Sequence, residues 1–245
     1  MLLASEGSAA LSEEADRITA AMQRLGPELA RWGEFKGTVI VRLYPSHDAL
    51  EDRLGLDGYP WLRAWSWGDE IALQSPCTWD PGRPEIPEPE LEELLAHELT
   101  HALMYQLIEH ASGPAHPEPP LWFREGMASV TAGQGHRRLP PADLARWVSL
   151  HPGVELLRPS PETYRTEKEA VYGAAHRAFE LLLQASGERG VRDLLHYASE
   201  GRSFETSFAL AIGRPVDEFE RASVRGGFNT QVAQRTAEAG GAGGP

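Results

Sequence analysis

The chain has 245 residues, 41% of them hydrophobic, and its 36 acidic and 23 basic side chains leave a formal net charge of −13. That length suits one large domain or two small lobes with an ample core, and the negative charge argues against a general binder of nucleic acid or anionic membrane. A single cysteine, Cys77, excludes an intrachain disulfide framework, and no run reaches the roughly 18 apolar residues of a membrane-spanning helix.

Met1 to Ala10 lacks the basic start and apolar centre of a signal peptide. The default expectation is a cytoplasmic protein, although a trimmed exported protein would read the same way. Leu11 to Trp32 carries Leu11, Ala15, Ile18, Met22, Leu25 and Leu29 at spacings of three or four, which predicts an amphipathic helix. Gly26-Pro27 divides or kinks it. Residues 37–44 are rich in β-branched side chains and close at Pro45, which predicts a strand. Ser46 can cap a helix from His47 to Leu54, with His47 exposed in its first turn. Tyr59 to Trp79 is rich in tryptophan, and such clusters more often pack a core than form a binding surface. Asp69 to Ser75 reads as a second strand ending at Pro76. Cys77 reads as a small structural residue.

After a proline-rich loop from Asp80 to Pro89 comes the pattern with most chemical content, His97-Glu98-Leu99-Thr100-His101. The surrounding apolar residues Leu91, Leu94, Leu95, Leu99, Ala102, Leu103 and Leu107 follow the helical period, and Glu88, Glu90, Glu92 and Glu93 suit the positive end of a helix dipole. That acidic run reads as a solvated helix start. Residues four apart project from one face of a helix, so His97 and His101 can share one metal ion. Glu98 points about 100° round the axis, where it can take a proton from a metal-activated water without serving as a ligand. A chance H-E-x-x-H in a chain with 9 histidines is an event on the order of a few per cent. The motif therefore needs its helix and a third ligand.

Candidates for that ligand follow. His110 and His116 lie at the helix end and in the Pro- and Gly-rich connection Ser112 to Pro120. Leu121-Trp122-Phe123-Arg124-Glu125-Gly126-Met127-Ala128-Ser129 then starts a second helix running to about Ala132. Its small residues Gly126, Ala128 and Ser129 would let it approach the first helix closely. Gly133 to His136 ends it, and Pro141 starts another. His136 and His151 lie in turns facing water. Glu167 to Gln184 predicts a long helix with Tyr172 and His176 on one face. From Gly187 the pattern is helical over Val191–Ser199, Phe204–Ala211 and Pro215–Val224, with Gly201 and Gly213 at C-cap positions and Phe204, Phe208 and Phe219 in the core. His196 needs no special role. Residues 226–245 form a Gly/Ala-rich segment with no apolar period, which predicts a disordered tail.

H-E-L-T-H followed by W-F-R-E-G-M-A resembles the gluzincin metallopeptidases, in particular the peptidase-MA-like domain. The resemblance spans roughly Gly37 to Phe219. It implies an α+β, zincin-like fold: a small N-terminal β-sheet lobe, a central HExxH helix and a helical C-terminal lobe. Domain limits on this reading are 1–36 for an N-terminal helical segment, 37–225 for the catalytic domain and 226–245 for the tail. It implies one Zn²⁺ per chain held by His97, His101 and Glu125, with the fourth position open as in catalytic sites. Glu98 would be the general base. Tyr172, within a Y-x-x-A segment, would donate to the oxyanion, with His176 in reserve. The substrate would be a peptide or protein, added as a strand to a sheet edge near Ile71–Gln74. The metzincin pattern fails at Met104 and Leu107, and His116 is followed by Pro117 rather than the Gly usual in SprT-like proteins. A G-x-M-E-N aminopeptidase signature is absent, which tilts the expectation to an endopeptidase. A zinc-holding but non-hydrolytic interaction module is the alternative, and the intact Glu98 argues against it.

Overall fold

The computed structural model describes residues 2–4, 9–80, 82–83, 85–112 and 118–225, without the side chains of 2–4, 9–12, 109–112 and 225. The expected tail at 226–245 and the ligand candidate His116 lie outside the described residues, as does the side chain of His110. The protein is mixed α and β, with ten α-helices and four strands among the described residues. It divides into two compact units, one taking in Met1–Ala115 with Thr131–Gly133, the other His116–Val130 with Gln134–Pro245. No described helix is long and apolar enough to cross a membrane.

The first unit is a sheet and its helices. Its strands are β1 (Leu2–Ala4), β2 (Ile40–Tyr44), β3 (Ala64–Trp67) and β4 (Glu70–Gln74), in the order β1-β2-β4-β3. β1, β2 and β4 run parallel, and β3 returns antiparallel to β4. β4 is therefore paired on both sides. The expected edge near Ile71–Gln74 is an interior strand, and β3 occupies the edge. The reason is local: Gly68, at φ 53, turns the chain after Trp67 and folds the A-W-S-W segment back as a hairpin arm. The sequence reading missed both β3 and β1.

Side chains alternate across the sheet. Val41 and Leu43 lie opposite Ile71 and Leu73 on one face, and Ser66 lies opposite Ile71 on that same face. On the other face Ala72 joins Leu50 and Leu62 in a cluster that also packs Tyr44, Tyr59 and Trp67. Leu50 comes from α3 (His47–Leu54), whose start is capped by the Ser46 hydroxyl accepting from the Ala49 N–H at 3.1 Å, and whose end is left-handed Gly55. His47 is half-buried rather than exposed, with Nδ1 3.2 Å from the Leu62 carbonyl and Nε2 3.3 Å from Glu51.

The predicted N-terminal helix breaks at Leu25 into α1 (Ala9–Arg24) and α2 (Gly26–Leu29). α4 (Glu88–Ser112) is the motif helix. Its acidic start is not merely solvated: Arg17 of α1 pairs with Glu88, and Arg24 reaches Glu88 and Glu92 at 2.6 Å each. The Arg17 guanidinium holds the Glu88 carboxyl below its usual range. Farther along, buried Gln106 accepts from the backbone N–H groups of Lys36 and Gly37 at 2.8 and 2.9 Å and donates to Asp69 at 2.7 Å. One side chain thus ties α4 to the entry of β2 and to the β3–β4 turn.

The second unit is helical. α5 (Leu121–Thr131) carries Trp122, fully buried among Phe123, Phe204, Phe208 and Phe219 with ring centroids 5.4–6.4 Å away. The Trp122 indole N–H donates to Glu220 at 2.7 Å, and Arg158 pairs with the same carboxylate at 2.9 Å. α6 (Pro141–Leu150) and α7 (Pro161–Thr166) lead to α8 (Lys168–Ser199), which kinks at Gly187, φ 63. α9 (Phe204–Ile212) ends at left-handed Gly213, and α10 (Val216–Arg225) follows. The three phenylalanines expected in the core are there, with Phe204 5%, Phe208 0% and Phe219 1% exposed.

Gly126 serves a close approach of α5 to α8. A Cβ there would lie 2.4 Å from the Ala175 carbonyl oxygen and 2.7 Å from Phe179. Gly126→Ala must push the two helices apart, and should lower stability by about 1–3 kcal/mol in denaturant unfolding. An unchanged midpoint would contradict this packing.

Candidate functional site

The first unit contributes three side chains from one stretch of α4. His97, Glu98 and His101 are 8%, 6% and 8% exposed, within a run, residues 95–106, that is buried throughout. One helical turn separates the two histidines, and their Nε2 atoms face one another at 3.2 Å with ring centroids 4.8 Å apart. Two nitrogens each about 2.0–2.1 Å from a tetrahedral zinc would lie roughly 3.3 Å apart. The imidazole pair therefore fits a zinc ion without moving a helix. Thr100, between them, returns its hydroxyl to the Ala96 carbonyl at 2.7 Å and stays within the helix.

Glu98 points elsewhere, as its position round the axis requires. Its Oε2 accepts from the Ser66 hydroxyl at 2.5 Å, and the same Oγ lies 3.1 Å from the Glu98 backbone carbonyl. Sequence reasoning missed Ser66. Its signal was the polar residue between two tryptophans in A-W-S-W, masked by reading the whole stretch as an aromatic cluster.

The second unit contributes Glu125 and the face of α8. Glu125 is 9% exposed, three residues after the buried Trp122 and beside Gly126. Trp122 and Gly126 thus set both the rotation and the depth of α5 around Glu125. Tyr172 of α8 is half-buried, with its hydroxyl 2.9 Å from that of Tyr164 on α7 and the Arg138 guanidinium 5.2 Å from its ring. Burial pushes the Tyr172 phenol well above its usual range, and the Glu125 charge and Tyr164 push it the same way. Tyr172 therefore keeps its proton at neutral and moderately alkaline pH and can act as a hydrogen-bond donor. Tyr164, another residue the sequence reading overlooked, lies in a six-residue helix too short for a periodic signal.

His176, the reserve donor, is engaged on both nitrogens. Nδ1 lies 2.9 Å from the Ser129 hydroxyl and Nε2 3.6 Å from Glu180. Arg138 also donates to Ser129 at 3.0 Å, so Ser129 is a fully buried junction between α5 and α8. This network braces the unit. His136, His151 and His196 are exposed, and Cys77 is exposed as well.

No family model matches the chain, and no curated protein is similar to it.

The His176 imidazole beside it, joined by Arg177, holds the Glu180 carboxyl below its usual range against the opposing effect of burial. A carboxyl whose folded pKa is depressed stabilises the fold above its unfolded pKa, near 4.5, and that contribution is lost as pH falls through the folded value. Below pH 4.5 the unfolding midpoint should therefore fall less with acid for Glu180→Gln than for the wild type. Midpoints that fall in parallel with pH would mean that the Glu180 contact carries no stability.

Proposed function

We propose that this chain is a zinc-dependent metallopeptidase with a zincin-like, gluzincin-type fold, most simply an endopeptidase. The observation that carries the reading is the pair of Nε2 atoms 3.2 Å apart on α4 with a buried carboxylate between them in sequence. Two imidazoles and the carboxylate of Glu125 make the donor set of a catalytic zinc site, with three protein ligands and a position left for water. Glu125 is favoured over His110 and His116 because the elements around it are built for one orientation.

When bound, zinc supplies Lewis acidity, polarising the scissile carbonyl and lowering the pKa of a coordinated water towards about 7. His97, His101 and Glu125 hold it. Glu98 takes the proton of the attacking water and delivers it to the leaving amine. Tyr172 keeps its proton and donates to the developing oxyanion, an interaction typically worth about 3 kcal/mol in the transition state. An extended peptide would add to the outer side of β3, the antiparallel edge strand, through backbone hydrogen bonds.

Glu98→Gln removes the base but neither imidazole. It should keep its zinc and lose about 100- to 10,000-fold in turnover on a quenched-fluorescent peptide library. Turnover at the wild-type rate would remove Glu98 from the mechanism. Zinc bound by a wild type that cleaves no peptide would instead favour the non-hydrolytic module.

A further inference from the structure

We propose that Ser66 is a positioning residue for Glu98, an inference that rests on Glu98 being the general base. The strand register makes the contact. Ser66 lies opposite Ile71, which is fully buried, so its side chain shares the sheet face of Ile71 and Val41. Its neighbours Trp65 and Trp67 take the other face, where Trp67 joins the Leu50, Leu62 and Ala72 cluster and lies under the Arg53 guanidinium, 5.1 Å away. A slip of β3 by one residue would exchange these faces, so the packing of Trp67 fixes the direction of Ser66.

The contact itself is specific. Ser66 Oγ is 2.5 Å from Glu98 Oε2, a distance typical of a hydroxyl donating to a carboxylate. The same oxygen is 3.1 Å from the Glu98 backbone carbonyl, so it bridges the side chain and the main chain of one residue. A glutamate has three rotatable side-chain bonds, and a base must aim one oxygen at the proton it removes. By engaging Oε2, Ser66 selects one rotamer and directs Oε1 to the proton. Displacing a reacting group by about 1 Å can cost on the order of 100-fold in rate.

A serine that only satisfies a buried carboxylate would affect stability and leave the chemical step alone, so the two roles separate in kinetics. The full chain, loaded with zinc, is assayed on the best-cleaved member of a quenched-fluorescent peptide library as wild type, Ser66→Ala, Ser66→Thr, Ser66→Val and Glu98→Gln. Positioning predicts that Ser66→Ala lowers kcat by about 10- to 100-fold, changes KM by less than about two-fold and keeps one zinc per chain by elemental mass spectrometry. Ser66→Thr, which retains the hydroxyl, should recover most of the loss, whereas Ser66→Val, of similar volume, should not. The Thr and Val pair carries the comparison if Ser66→Ala does not fold. Wild-type kcat in Ser66→Ala or Ser66→Val with Glu98→Gln inactive would overturn the Ser66 inference alone, as would Thr and Val variants that are equally slow. A fully active Glu98→Gln, or a zinc-loaded wild type that cleaves nothing, would overturn the base assignment and this inference with it.

Discussion

Burying two imidazoles and a carboxylate along a single helix is the constraint on which the rest of the first unit depends. Polar groups removed from water cost several kcal/mol unless they find partners. His97 and His101 meet each other, and Glu98 meets Ser66. None of this works unless α4 keeps its rotation and height. Gln106, five residues after His101, holds the helix against the sheet through three hydrogen bonds. At the other end Arg17 and Arg24 grip Glu88 and Glu92. The exposed pairs contribute little each, but together with Gln106 they fix the helix at two points on either side of the motif.

The second unit meets a related demand with aromatic packing. Trp122 and Phe123 sink α5 into a cluster of phenylalanines, and Gly126 lets the helix lie against the Ala175 carbonyl of α8. Between these fixed positions sits Glu125, with Tyr172 close enough for its charge to raise the phenol's pKa. Residues that read in sequence as one motif, W-F-R-E-G, thus do different work: Trp122 anchors and Gly126 permits close approach. Arg124 fastens the start of the helix to the Pro119 carbonyl and to Glu118 at 3.0 Å each.

Much of this was legible in the chain because periodicity and caps are local signals. The motif helix, the α5 helix, the capped helix after Ser46, the break near Gly26-Pro27 and the phenylalanine core all follow from residues within a turn or two of one another. Strand order was not legible. Pairing β4 with both β2 and β3 depends on a turn at Gly68 and on contacts far apart in sequence, so the expected edge at Ile71–Gln74 fell in the interior. Ser66 was hidden for the same reason, since its partner is 32 positions away. The roles of Gly126 against α8 and of Arg17 and Arg24 against the acidic start of α4 also needed the fold, because each is half of a long-range pair.

On the proposed function, His97, His101 and Glu125 together hold one zinc. The most direct test is zinc content by elemental mass spectrometry, wild type beside Glu125→Ala, after equilibration with equal zinc. About one zinc per wild-type chain is expected, and its loss in the variant, with the circular dichroism of the helices preserved. Zinc retained at full stoichiometry without Glu125, or absent from the wild type, would contradict it.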